Sequence, residues 1–87
     1  MPWTVEVAPR ELTYLLSLPP PLRERVRKQI DVLQENPHGH AAKKLKGSPG
    51  RFRVRVGEYR IVYRIDSSAH TVRVERIRHR KDVYRGI

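Results

Sequence analysis

The stretch RFRVRVGEYRIVYR, Arg51 to Arg64, holds five arginines and one acid, Glu58. Guanidinium is a planar fork that grips phosphate oxygens two at a time, which an ammonium cannot do. Val56-Gly57-Glu58-Tyr59 reads as a two-residue hairpin loop with Gly first, a type II′ signal. That turn sets the pairing of the two strands, and side chains alternate along each. Phe52, Val54, Val56, Tyr59, Ile61 and Tyr63 then share one face. Arg51, Arg53, Arg55, Arg60, Val62 and Arg64 share the other. Arg55 lies across from Arg60, and Arg51 across from Arg64. Like charges placed so destabilise a sheet, by roughly 1 kcal/mol at ~5 Å in water and more at lower dielectric. No acid on that face is expected to relieve it, since Glu58 is in the turn and Asp66 at the strand end. Folding gains nothing from the arrangement, whereas a bound polyanion would.

The flanking segments must hold this hairpin. Trp3 to Val7 alternates apolar and polar and reads as a strand. Pro9 suits the first turn of a helix, and Leu12, Leu15 and Leu16 mark its apolar stripe. Pro19-Pro20-Pro21 stops that helix, and the last of these prolines can open the next. Leu22, Val26, Ile30 and Leu33 mark the buried face of a second helix, which Asn36-Pro37 ends. Residues 37–50 read as a Gly-, Pro- and Lys-rich loop. Strands follow at 51–56, 59–65 and 71–78. In the last, Val72 and Val74 are out of phase with Ile77, so a bulge or change of face is expected near Arg76. The implied fold is α+β, in the order β-α-α-β-β-β. Two N-terminal helices pack on one face of a small antiparallel sheet, and the other face stays open.

With 87 residues the chain is expected to form one domain, 1–87. It carries 19 Lys and Arg against 9 Asp and Glu, a formal charge of +10, which points to a polyanionic partner. The excess is uneven: ten arginines and one lysine face four acids from Arg51 onward. There is no cysteine, so disulfides, thiolate nucleophiles and zinc–thiolate sites are excluded. No apolar run approaches the roughly 20 residues that span a bilayer, and the N-terminus lacks a signal-peptide core. The expected location is the cytoplasm, without membrane contact. His38-Gly-His40 has no Asp, Glu or Cys nearby and makes a poor metal site, so neither metal nor cofactor is expected.

Three segments together, KKLKG at 43–47, FRVRVGEYRIVYRI at 52–65 and HRKDVY at 79–84, carry a family resemblance in their order and spacing. The chain resembles the RelE branch of the RelE/ParE toxins of toxin–antitoxin pairs over nearly its whole length. The resemblance implies a RelE-like fold and metal-independent cleavage of messenger RNA in the ribosomal decoding site. The ribose 2′-OH attacks the adjacent phosphate, leaving a 2′,3′-cyclic phosphate, or a 3′-phosphate from it, and a 5′-OH. The family's catalytic positions fall on Arg53, Arg55, Arg60, Arg80 and Tyr84. The best-known members have lysines where this chain has Arg53 and Arg55. Arginine cannot be deprotonated in a protein, so neither is a general base. Tyr84 is favoured as proton acceptor because the resemblance implies it, although it can instead stack on a base. His79 is the other candidate, being of the residue type whose charge changes near neutrality. Lys43, Lys44 and Lys46, with Arg51, Arg64, Arg78 and His79, are candidate contacts to the RNA backbone.

The resemblance also implies a cognate antitoxin, with a helical segment and an acidic character suited to this charge. Operator DNA would be bound only through that complex. Two other functions fit parts of the sequence. A ParE-like poison of DNA gyrase shares the fold and the YRIVYR core but does not need Arg53, Arg55, Arg80 and Tyr84 together. A non-catalytic nucleic-acid-binding module suits the charge, but the chain has few aromatics to stack on bases.

Overall fold

The computed structural model describes residues 2–39 and 41–85. The elements are β1 (Thr4–Val7), α1 (Pro9–Ser17), α2 (Pro20–Glu35), β2 (Lys43–Lys44), β3 (Arg51–Val56), β4 (Tyr59–Asp66) and β5 (Thr71–His79). Both helices open on proline, where the missing N–H is one the helix would leave unpaired anyway. The strands form one sheet in the order β1-β5-β4-β3-β2.

The hairpin β3–β4 has the pairing read from the turn: Arg51 with Arg64, Arg53 with Val62, Arg55 with Arg60, and Val56 with Tyr59. Gly57 has φ +58°, which the first position of a type II′ turn requires. A Cβ there would sit 3.3 Å from the Arg25 guanidinium of α2, so the turn is also closely overlaid.

Two features of the sheet differ from the sequence expectation. The sheet is mixed, because β1 runs parallel to β5, pairing Thr4 with Thr71 through Val7 with Val74. The chain returns from β1 through both helices and the hairpin, a connection long enough to allow a parallel neighbour. Second, the 37–50 loop contains β2, which pairs Lys43 with Arg53 and Lys44 with Phe52. Two residues are too few for alternation to register as a strand.

The bulge expected near Arg76 is present. Val62 pairs with Arg76 and Tyr63 with Val74, leaving Glu75 as the extra residue. This brings Val72, Val74 and Ile77 all onto the helix side, where each is fully buried. They join Val26, Ile30 and Leu33 of α2 and Val54, Val56, Ile61 and Tyr63 of the hairpin in one core.

The apolar stripe read on α1 is displaced. Leu15 is buried, but Leu12 and Leu16 are 45% and 61% exposed. The inward positions are Glu11, Leu15 and, just past the helix, Leu18, with Tyr14 partly buried. A glutamate takes a place that periodicity assigned to leucine.

Tyr63 is fully buried, and its hydroxyl donates to the Pro37 carbonyl at 2.7 Å. Burial pushes its pKa up from 10.0 to about 12. Unfolding therefore releases a proton at alkaline pH. Stability should be level below pH 10 and fall as pH rises from about 10 to about 12. The total loss is on the order of 2–3 kcal/mol. Urea unfolding midpoints across this range test it, with Tyr63→Phe expected to flatten the fall. Some slope should persist, because burial and a hydrogen bond to Tyr59 also raise Tyr14.

Among the described residues, no helix is long and apolar enough to cross a membrane.

Candidate functional site

The arginine face is one surface but two electrostatic regions. Toward the start of β3 its cations are neutralised. Arg51 Nε lies 2.8 Å from one oxygen of Glu75, and Arg64 Nε lies 3.6 Å from the other. Arg73 reaches Glu6 at 3.4 Å. The expectation that no acid relieves the Arg51–Arg64 pair is corrected here. The acid comes from β5, delivered by the bulge that leaves Glu75 as the extra residue, and hairpin pairing alone does not reveal it.

Arg78 is also tied. Its Nη1 lies 2.6 Å from the buried Glu11 carboxylate, and its guanidinium stands 4.3 Å over the Tyr14 ring. Arg76 donates to the carbonyls of Val83, at 3.3 Å, and of Arg85. A hollow of about 550 Å³ beside the start of α1 is lined by Glu11, Glu75, Arg76 and Arg78 among others. There Glu11 is paired with Arg78, Glu75 with Arg51 and Arg64, and Arg76 with backbone carbonyls.

The other end of the face is different. Arg53, Arg55, Arg60, Arg80, Lys81 and Tyr84 line an open pocket of about 450 Å³. The structure thus brings together all five residues that the family resemblance implicated, from β3, β4 and the segment after β5. Among the described residues, no carboxylate lies within salt-bridge distance of Arg53, Arg55 or Arg60. Arg60 donates from Nη1 to the carbonyls of Gly57 and Tyr59, both at 2.9 Å, which holds it at the turn and leaves its Nε and Nη2 unengaged. Arg80 Nε lies 2.7 Å from Glu58 on the hairpin turn, with both side chains more than half exposed.

Tyr84 reaches the pocket because the chain folds back after β5. The N–H groups of Asp82 and Val83 both donate to His79 O, at 2.8 and 3.1 Å. Val83 is fully buried, as is Val62, the single apolar residue of the hairpin's arginine face. Arg76, paired with Val62 in the sheet, donates to Val83 O, so this turn is set down over the sheet at Val62. Tyr84 itself stays 43% exposed and within reach of a ligand.

Other sequence candidates fall elsewhere. His79 pairs with Tyr59, which points to the helix side, and their rings meet edge to face at 5.5 Å. Its Nδ1 accepts the Lys81 N–H at 3.2 Å, and it does not line the pocket. Arg51, Arg64 and Arg78 are the paired arginines described above. Lys44 shares the side of Phe52, whereas Lys43 shares the side of Arg53. Lys46 is exposed in the turn that follows β2. His38 meets Trp3 and Phe52 edge to face, and His40 lies outside the described residues. Lys81 was not singled out from the sequence, although its place next to Arg80 was a signal. Glu58 was noted only as a turn residue.

The chain matches the family model described as the ParE toxin of the type II toxin–antitoxin system, parDE, over residues 10–84. It is 31% identical over 88 residues to a candidate toxin of Methanocaldococcus jannaschii named RelE1, covering 98% of each chain. It is also similar to a chain in the crystal structure of the RelBE2 toxin–antitoxin complex of Mycobacterium tuberculosis. There the identity is 32% and the TM-score 0.79, covering 91% of this chain and 99% of that one. A chain of the archaeal RelE–RelB complex of Pyrococcus horikoshii shares the fold at 23% identity and TM-score 0.82, covering 95% of this chain and 100% of that one. The arginine hairpin, the two helices behind it and these relatives together place the chain in the RelE/ParE superfamily of type II toxin–antitoxin systems, as a toxin of RelE type.

Proposed function

We propose that this toxin is an endoribonuclease that cuts messenger RNA, acting on the ribosome and without a metal. The observation that carries the reading is the division of the arginine face. Arg51, Arg64, Arg73 and Arg78 are matched by carboxylates, while Arg53, Arg55 and Arg60 meet none among the described residues and stand together with Tyr84. A group of unmatched guanidiniums around an open pocket suits a phosphodiester. The 2′-OH attacks phosphorus, the P–O5′ bond breaks, and negative charge builds on the non-bridging oxygens. Cations fixed beforehand around that position lower the barrier without reorganising, and they also hold the three reacting atoms in line. In this reading Tyr84, as its phenolate, takes the 2′-OH proton, and the 5′-oxygen leaves as a hydroxyl after gaining a proton from water.

The proposed partners are message, ribosome and an acidic antitoxin. Two of the similar structures are RelB-type complexes, and the exposed Leu12 and Leu16 of α1, with Val32 of α2, offer apolar surface for a helical segment.

Expression without the antitoxin tests the function. Growth should arrest, and cuts with 5′-OH ends should map to translated message. A second reading, gyrase poisoning, draws on the ParE name of the matching family model. Intact message with accumulated DNA breaks would select it. RNA binding that Arg60→Ala weakens, with no cleavage product under any condition, would select a non-catalytic module.

Binding to a single-stranded RNA whose scissile 2′-OH is replaced should weaken steeply with salt. If Arg53, Arg55 and Arg60 each neutralise a phosphate, log K should fall by about 2 per log unit of salt. Arg60→Ala should reduce that slope by about 0.7.

A further inference from the structure

The β3–β4 turn is bound to the segment after β5 at one place and in two ways. The Arg80 N–H donates to Glu58 O at 2.8 Å, and the Glu58 carboxylate meets Arg80 Nε at 2.7 Å. The turn is itself braced, since Arg60 donates to the carbonyls on either side of Glu58 and Arg25 of α2 lies over Gly57. Glu58 therefore stands on a fixed platform beside the pocket. Arg80 is the pocket arginine that follows the last strand, and its stem is more than half exposed. Left alone, so long a side chain would sample many rotamers.

We propose that Glu58 is a positioning residue for Arg80. A guanidinium has one donor on Nε and four on its two terminal nitrogens. The carboxylate makes its closest approach at Nε, and the terminal pair is the fork that matches phosphate oxygens in the pocket. This rests on the endoribonuclease reading and adds to it an acid that contacts no substrate. The same contact has an opposite interpretation: a carboxylate beside a phosphate site competes for Arg80 and repels the substrate. The closest approach of the carboxylate is to Nε on the guanidinium edge, not to a terminal nitrogen of the fork, and this favours positioning.

The experiment compares wild type, Glu58→Ala and Glu58→Gln in single-turnover cleavage of message on ribosomes, with each change repeated in an Arg80→Ala background. Glu58→Ala should lower the cleavage rate on the order of 10-fold, while KM changes little. Glu58→Gln, which keeps an oxygen beside Nε, should recover most of the rate. In the Arg80→Ala background, neither change should have a further effect. Thermal midpoints should stay within about 3 °C of wild type, because the pair is exposed. Faster cleavage or tighter binding in both Glu58 variants overturns the proposal in favour of competition. Cleavage equal to wild type in Glu58→Ala overturns it outright. A wild-type protein that neither cuts nor binds RNA removes the endoribonuclease reading and this proposal with it, a result distinct from the other two.

Discussion

Arg60→Ala is expected to cleave message at least about 100-fold more slowly than wild type, the loss typical of a deleted oxyanion donor. Arg60 faces Arg55 on one neighbouring strand and Arg78 on the other, and Arg78 is drawn away to Glu11. That leaves Arg60 at the centre of the unneutralised group. Its unengaged nitrogens have no role in folding, because its hydrogen bonds to the turn use Nη1 alone. The change should barely alter stability, within about 1 kcal/mol. Two hydrogen bonds to carbonyls, one exposed and one part-buried, are lost, while the repulsion from Arg55 is relieved. Single-turnover rates at saturating toxin separate chemistry from binding. A loss in the rate itself places Arg60 against transition-state charge, whereas a loss confined to KM reduces it to a substrate clamp. Arg60→Lys keeps the charge without the fork and should fall between. Full activity in Arg60→Ala would remove the pocket from the mechanism.

Glu11→Ala should destabilise the fold by about 3 kcal/mol, a large part of the 5–15 kcal/mol typical of a small protein. The carboxylate is 5% exposed and has two partners on β5. β1 stops pairing at Val7, and Ala8 N–H makes the last backbone bond to that edge, at Val74 O. Beyond that point the edge of β5 has no strand beside it. Glu11 reaches from α1 to accept the Ile77 N–H at 2.7 Å and Arg78 Nη1 at 2.6 Å, standing in for a neighbouring strand. Removing it leaves a buried N–H unpaired and a cation without its partner, which in a fully buried pair costs about 3–5 kcal/mol. Arg78 is 30% exposed and keeps some water, which places the effect at the lower end. Glu11→Gln keeps an acceptor and should lose less. Urea unfolding of the isolated toxin reads both, and a loss below about 1 kcal/mol in Glu11→Ala would show that solvent replaces the carboxylate readily. Because β5 continues directly into Arg80 and Tyr84, a variant that stays folded should still lose activity in proportion to how far that strand end moves.

Much of this was legible in local pattern. Alternation and the Gly57 turn determine the pairing of β3 with β4, because side chains have period two and a II′ loop has fixed length. The phase break between Val74 and Ile77 announced the bulge. The helix limits followed from Pro9, the three prolines and Asn36-Pro37. The residues that line the pocket, Lys81 apart, were picked by motif, and the register explains why Arg53, Arg55 and Arg60 share a side.

The partition of the arginines into neutralised and free was not legible, because it depends on carboxylates far away in the chain. Glu75 reaches Arg51 across 24 residues, and Glu11 reaches Arg78 across 67. Periodicity on α1 favoured Leu12 and Leu16 for the core and had no means of preferring Glu11, whose burial is favourable only beside the open edge of β5. The parallel pairing of β1 has the same character, since the choice of neighbour belongs to packing of the whole sheet rather than to Thr4–Val7. Local sequence set the strands, turns and charge of this toxin; which charges remain available to a phosphate was decided by tertiary contacts, because an ion pair forms wherever the fold brings opposite charges within a few ångströms.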